Sequence, residues 1–305
     1  MNLDAPGPLS DTMTGGRSCR FCCGTDLVDD PFRRSVLFGD LVRRYTRCRQ
    51  CGSRSLTPMP NNDELADLYT VEYFKEPEPG QTDGQPRAYA WVLDNLPEPR
   101  KGLFVDMGCG DGELLLLAAD RGYEVVGLDV DQASVEAVRI ATGCPAVTFD
   151  ELPSFVNQAA AVHLGDVLEH VADPELLVRE AISLLRPGGL LLVQGPLEAN
   201  RSPFNVVLAV VAICKRSVPT SDPPHHVHLV SPRGQECFFR RLGFETLDYR
   251  LSDVNWPAPQ RFGGYLLKDP RLLTLYVCRR LSSVVRPIAP RLLSNRFEYI
   301  GRYAE

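Results

Sequence analysis

A short apolar run, Leu103 to Asp106, leads straight into Gly108-Cys109-Gly110-Asp111-Gly112 and then into a helix-forming stretch, Glu113 to Arg121. No other feature of the chain restricts its fold as much. Glycines at alternate positions let the backbone take positive φ and approach a ligand closely. The helix that follows turns its free N–H groups toward that ligand. A second buried strand, Glu124 to Leu128, ends at Asp129, where a carboxylate can accept both hydroxyls of a ribose. A dinucleotide fingerprint requires a glycine where Glu113 stands, so the pattern here is the different one, Asp-x-Gly-x-Gly-x-Gly.

The alternation continues with a helix over 132–141, strands at 146–148 and 160–165, a helix from Pro174 to Leu185, the turn Arg186-Pro187-Gly188-Gly189 and a strand at 190–194. Downstream come a helix at 232–242 closed by Gly243, a strand at 244–250 and a last strand at 296–302, with an insertion over about 252–294. This predicts an α/β fold, its mostly parallel sheet covered by helices on both faces. The division expected is a disordered leader at 1–16, a cysteine-bearing module at 17–58 with a hairpin over Val36 to Thr46, a helical linker or lid at 59–97 and one large domain at 98–305.

Loop, strand, helix and acid in this order resemble the class I S-adenosylmethionine (SAM)-dependent methyltransferases, over about residues 98–250. The resemblance implies a Rossmann-like, seven-stranded, mostly parallel sheet. It puts Gly108, Cys109, Gly110 and Gly112 under the amino-acid part of SAM, Asp106 at its ammonium group, and Asp129 with Val130 at the ribose. The adenine amino group falls to Asp150 or Glu151, Asp150 first. The stretch Asp166 to Val171 and the turn before the fifth strand are similar to those of many small-molecule members, and Asp166 joins the cofactor set.

Cys19-Arg20-Phe21-Cys22 and Cys48-Arg49-Gln50-Cys51 are Cys-x-x-Cys knuckles with 25 residues between their inner cysteines. Four thiolates meet the tetrahedral preference of zinc and leave no open position, which predicts a structural zinc ribbon. Cys23 cannot share a vertex with Cys22, and the spacing selects Cys22. The ribbon, then Leu56 to Pro60, Leu68-Tyr69 and Tyr73-Phe74 resemble bacterial methyltransferases of sugars and other small metabolites, including sugar C-methyltransferases. In those the zinc lies remote from the chemistry. Their Tyr-x-Glu-His pattern is missing here. Tyr69, Tyr73 and Phe74 read either as a lid over the cofactor or as linker core.

Methyl transfer from a sulfonium is an in-line displacement, so the protein's task is to align the acceptor and remove its proton. Histidine suits that transfer. Of five histidines, His163 lies inside the fourth strand and reads as structural, and His170 follows the acidic loop at the carboxyl edge of the sheet. His226 is the first choice of base, with His228 and His170 behind it; alternation would put His226 and His228 on one face and His225 on the other. A metal-assisted variant stays open, in which Asp166, Glu169, His170 and the later histidines hold a divalent ion that acidifies a hydroxyl. Some quinone-biosynthesis O-methyltransferases with a similar Leu-Glu-His-Val stretch use such an ion. A buried histidine steadying the loop is the other reading of His170.

A formal charge of −6 disfavours nucleic acid as a partner, and the Asn-Pro-Pro-Tyr type of stretch used in base amino-group methylation is replaced by Asp166 to Glu169. The expected function is methyl transfer to the oxygen or carbon of a hydroxylated small molecule, such as a sugar or natural-product intermediate. RNA base methylation and a catalytically silent scaffold are the alternatives. No basic-then-apolar leader and no 20-residue apolar run is visible, so a cytoplasmic protein is expected. Phe204 to Cys214 and Leu272 to Val285 suit core and lid packing, an apolar acceptor pocket or weak contact with a membrane surface.

Overall fold

The computed structural model describes residues 18–38, 40–66, 85–98, 102–215, 218–220, 224, 226–252 and 262–303. The leader at 1–16, His225 and the aromatics Tyr69, Tyr73 and Phe74 lie outside them.

The chain runs through β1 (Leu27–Asp29), β2 (Val36–Phe38), β3 (Leu41–Cys48), β4 (Arg54–Thr57), α1 (Gln85–Asn95), β5 (Leu103–Met107), α2 (Glu113–Asp120), β6 (Glu124–Asp129), α3 (Gln132–Thr142) and β7 (Ala146–Thr148). It continues with β8 (Ala159–Gly165), α4 (Pro174–Leu184), β9 (Leu185–Pro196), α5 (Pro203–Cys214), β10 (His228–Leu229), α6 (Pro232–Arg241), β11 (Phe244–Ser252), α7 (Pro270–Val285), α8 (Pro290–Leu293) and β12 (Arg296–Tyr303). Seven strands form the central sheet, ordered β11-β12-β9-β8-β5-β6-β7. β12 is antiparallel to both its neighbours, whereas the β9-β8-β5-β6-β7 pairings are parallel. The strand order reverses between β5 and β8, and ligands of such sheets sit at the carboxyl ends beside that reversal.

Central strands buried on both faces read as unbroken apolar runs, and β8 is buried from Ala159 to Leu164. One face carries Val105, Leu128, Val162 and Leu191 against α4 and the α6 pair Phe238 and Phe239. The other packs Phe104, Val125, Ala161 and Leu192 on Trp91 and Val92 of α1 and on α2 and α3. Helix starts are fixed by side-chain caps: Asp131 on α3, Asp173 on α4 and Ser231 on α6. The sequence expects a turn at 186–189 and a strand only from 190. Instead β9 begins at Leu185, which pairs with Ala159, and Arg186 to Gly189 is a bulge opposite Ala160 that keeps the ladder going.

The cysteine module does not stand apart from this core. Cys19, Phe21, Cys48 and Cys51 belong to the same buried cluster as Val105 and Phe238. Its sheet, β1-β3-β4, takes β10 as its outer strand, pairing His228 with Ser55 and Leu229 with Arg54. The region between β11 and β12 is helical where described: α7 packs on α5, and α8 leads into β12.

Candidate active site

The glycine loop takes the backbone its residues predict. Gly108, Gly110 and Gly112 have φ of 78°, 57° and 77°. A Cβ on Gly108 would stand 2.6 Å from Val167, and one on Gly112 2.7 Å from Val138. The loop is therefore seated between the segment after β8 and helix α3. Cys109 is buried and turns its thiol inward against Gly127.

Asp106 is buried, with Oδ1 2.7 Å from Nδ1 of His163. His163 Nε2 lies 3.3 Å from the Gln194 amide, so the ring bridges two strands and fixes the Asp106 carboxylate. Asp129, also buried, accepts from the backbone of Val130 (2.8 Å) and Asp131 (3.3 Å) through one oxygen, Oδ1. Burial raises its pKa against these two hydrogen bonds. Val130 is exposed beside it, and Asp150 stands exposed in the 3-10 turn Phe149–Phe155 that follows β7.

Asp166 lies in the segment after β8. That residue has φ of 53°, and both its carboxylate oxygens are taken by Arg296 at 2.7 Å each. Arg296, at the start of β12, was not among the residues singled out by sequence. Only the topology, which brings residue 296 beside residue 166, exposes this buried guanidinium as the partner. Tyr89 of α1 is a second omission. Burial pushes its phenol up, and the charges of Asp111, Asp106, Glu113 and Asp166 add to the shift.

Beyond Asp166 three ligand-type side chains converge. Glu169, His170 and His226 present atoms within 4.8 Å of one another. Glu169 is buried; desolvation and the charge of Asp166 push its pKa up to about 8, and its Oε1 has no hydrogen-bond partner among the described residues. The rings of His170 and His226 meet edge-on at 4.8 Å. His226 Nδ1 lies 2.7 Å from Glu198, on the segment after β9, a residue the sequence reading also omitted. Burial alone would lower the pKa of His226, but the charge and hydrogen bond of Glu198, with Glu169 and Asp166 behind it, push it up to about 9. Burial likewise would raise Glu198, and His226 and Arg33 bring it down.

His228 is corrected. It does not share the surroundings of His226: it is buried edge-on against Phe21 at 5.4 Å, with Nδ1 2.8 Å from the Ser55 hydroxyl. Desolvation, then the charge of Arg20, lowers its pKa to about 4, so it is neutral and structural. His226 lies before β10, which starts only at His228, so strand alternation does not put the two on one face.

The four cysteine sulfurs form a second convergent group. Cys19 and Cys51 are 3.6 Å apart, as are Cys22 and Cys48. Tetrahedral zinc with bonds of about 2.3 Å separates its sulfurs by about 3.8 Å, so the set fits the ion. Burial and the adjacent thiols push Cys22 up to about 12, a state that a bound cation reverses. Cys23 is exposed and outside the group.

A family model described as a methyltransferase domain matches residues 81–249. The chain belongs to the methyltransferase domain family. With the sheet order and glycine loop above, it is a class I SAM-dependent methyltransferase by family. Ubiquinone biosynthesis O-methyltransferase of Xanthomonas axonopodis pv. citri is 30% identical over 161 residues, 50% of this chain and 66% of that protein. The same enzyme of Bordetella avium is 26% identical over 180 residues, 56% of this chain and 73% of that one. The match to the Xanthomonas relative thus spans just under two thirds of its length. Among solved structures, the [4+2]-cyclase SpnF shares the fold at a TM-score of 0.54 and 17% identity, over 81% of this chain and 98% of that one. A methyltransferase in complex with the Haloferax volcanii Trm112 activator does so at 0.53 and 16%, over 79% and 97%. No described helix is long and apolar enough to cross a membrane.

Proposed function

We propose that this methyltransferase moves the SAM methyl group to a hydroxyl of a small molecule, with the His226–Glu198 pair receiving the acceptor's proton. The observation that carries this reading is the meeting, at one sheet edge, of the glycine loop and the Glu169, His170 and His226 cluster through the Gly108–Val167 contact. In this reading SAM lies on Gly108, Gly110 and Gly112 with Asp106, Asp129 and Val130 at its polar groups, Asp150 at the adenine and the backbone of Cys109 beneath it. Glu198 holds Nδ1–H of His226 and leaves Nε2 toward the acceptor, the role a carboxylate plays behind a catalytic histidine. The ubiquinone O-methyltransferases among the relatives support oxygen as the methylated atom, and the net charge of −6 supports a small molecule over RNA. SpnF is a cyclase on this fold, so the fold alone does not fix the reaction.

The apolar groove between α5 and α7, about 560 Å³, suits an acceptor with an apolar part; Val206, Val207, Leu273 and Val277 line it, and Arg201 stands at its edge. The four cysteines would hold zinc as a structural ion. A second reading is favoured by Glu169 Oε1, buried beside two imidazoles with no hydrogen-bond partner among the described residues. There Glu169, His170 and His226 would hold a divalent cation that lowers the pKa of the acceptor hydroxyl. Incubating the protein with labelled SAM and a panel of catechols and sugars, with and without a chelator too weak to strip the thiolate site, tests both. Turnover that survives chelation and falls about a hundredfold in His226→Gln supports the base. Turnover abolished by chelation and restored by magnesium supports the cation.

A further inference from the structure

We propose that the cysteine module is the scaffold of the acceptor half of this site: it holds the His226–His228 segment against Glu169, so the metal state of the four thiols governs the placement of His226 and leaves the SAM half untouched. The inference builds on the reading of His226 given above.

His226 sits in a segment with almost no regular structure of its own, since β10 is two residues long. What holds it comes from outside. On one side lies the module: the Tyr45 hydroxyl donates to the His226 carbonyl at 2.6 Å, the Leu56 N–H to the Val227 carbonyl at 2.9 Å, and Ser55 meets the His228 ring. Tyr45, Leu56 and Val227 share a small buried cluster, and His228 packs on Phe21, which stands between the two cysteines of the first knuckle. The second knuckle is tied in as well, for the Ser231 hydroxyl donates to the Cys51 carbonyl at 2.6 Å. On the other side the Glu169 carbonyl accepts from Val227 N–H (2.9 Å) and His228 N–H (3.1 Å). The segment is a wedge between module and acidic loop.

The glycine loop shares one support with that segment, the acidic loop at Val167, and otherwise draws on its own. Gly108 N–H donates to the Leu128 carbonyl, Gly112 rests on Val138, and Asp106 is fixed by His163. None of these residues belongs to the module. Strands this short have little stability without a packed neighbour, so loosening the knuckles releases the histidine segment first.

The test uses the full zinc-loaded chain, with metal content measured, in three states: untreated, treated with a strong chelator, and as Tyr45→Phe, which removes one hydroxyl. Amide hydrogen exchange follows Val227 and His228, nitrogen NMR of labelled histidine follows the Nδ1–H of His226 bonded to Glu198, and calorimetry follows SAM. The expected result is exchange about tenfold faster at 227–228 and loss of the His226 ring signal in both altered states, with SAM affinity in Tyr45→Phe within about twofold of wild type. Unchanged exchange and an unchanged His226 signal after metal removal overturn the proposal, as does the same outcome in Tyr45→Phe or a fall of SAM affinity in that variant. Failure of the base reading is separate: His226→Gln would then keep full turnover, whatever the exchange data show.

Discussion

At the scale of the residue, the account rests on pairs that move protonation. With His226 near 9, its neutral, proton-accepting form is scarce at pH 7 and grows as pH rises. kcat/KM with any accepted hydroxyl substrate should therefore climb toward pH 9 and then level. Glu198→Gln removes the charge that raises His226 and leaves the burial that lowers it. The rising limb should move to lower pH while the plateau drops, because the freed imidazole is a weaker base. A profile identical to wild type would contradict the pairing. The residues behind this chemistry were only partly legible. Gly108, Gly110, Gly112 and Asp129 announce themselves by spacing along one strand–turn–helix unit. Glu198 and Arg296 carry no local signal, for each is paired with a side chain 28 or 130 residues away.

Among elements, the βαβ units followed the sequence closely, since each strand and helix is set by its own apolar period and cap. The bulge in β9 and the capture of β10 by β4 did not, because both are tertiary pairings: one extends a ladder past Gly188, and the other recruits a two-residue strand. Two predictions belong here. Gly112→Ala should destabilise the domain by more than about 1 kcal/mol in denaturant unfolding, since the position needs positive φ and the new methyl meets Val138. His228, held neutral with a pKa near 4 against about 6.5 unfolded, contributes stability that is present above about pH 6.5 and lost as pH falls through 4. In His228→Gln the fall in melting temperature over that window should be shallower than in wild type; an equal slope would remove His228 from the acid response.

For the whole molecule, the proposed reading assigns two halves: a cofactor half built from β5, β6 and α3, and an acceptor half held between the acidic loop and the cysteine module. The sequence showed both modules but not their shared core, in which Phe21 of the first knuckle touches Phe238 of α6. SAM binding by the cofactor half underlies the proposed chemistry. Calorimetric titration of SAM into wild type and Asp129→Ala tests it most directly. Wild type should show saturable binding at one site, and Asp129→Ala binding at least about tenfold weaker, the cost of removing a hydrogen bond to a charged group. No binding by folded wild-type protein, or equal binding by both chains, would contradict it.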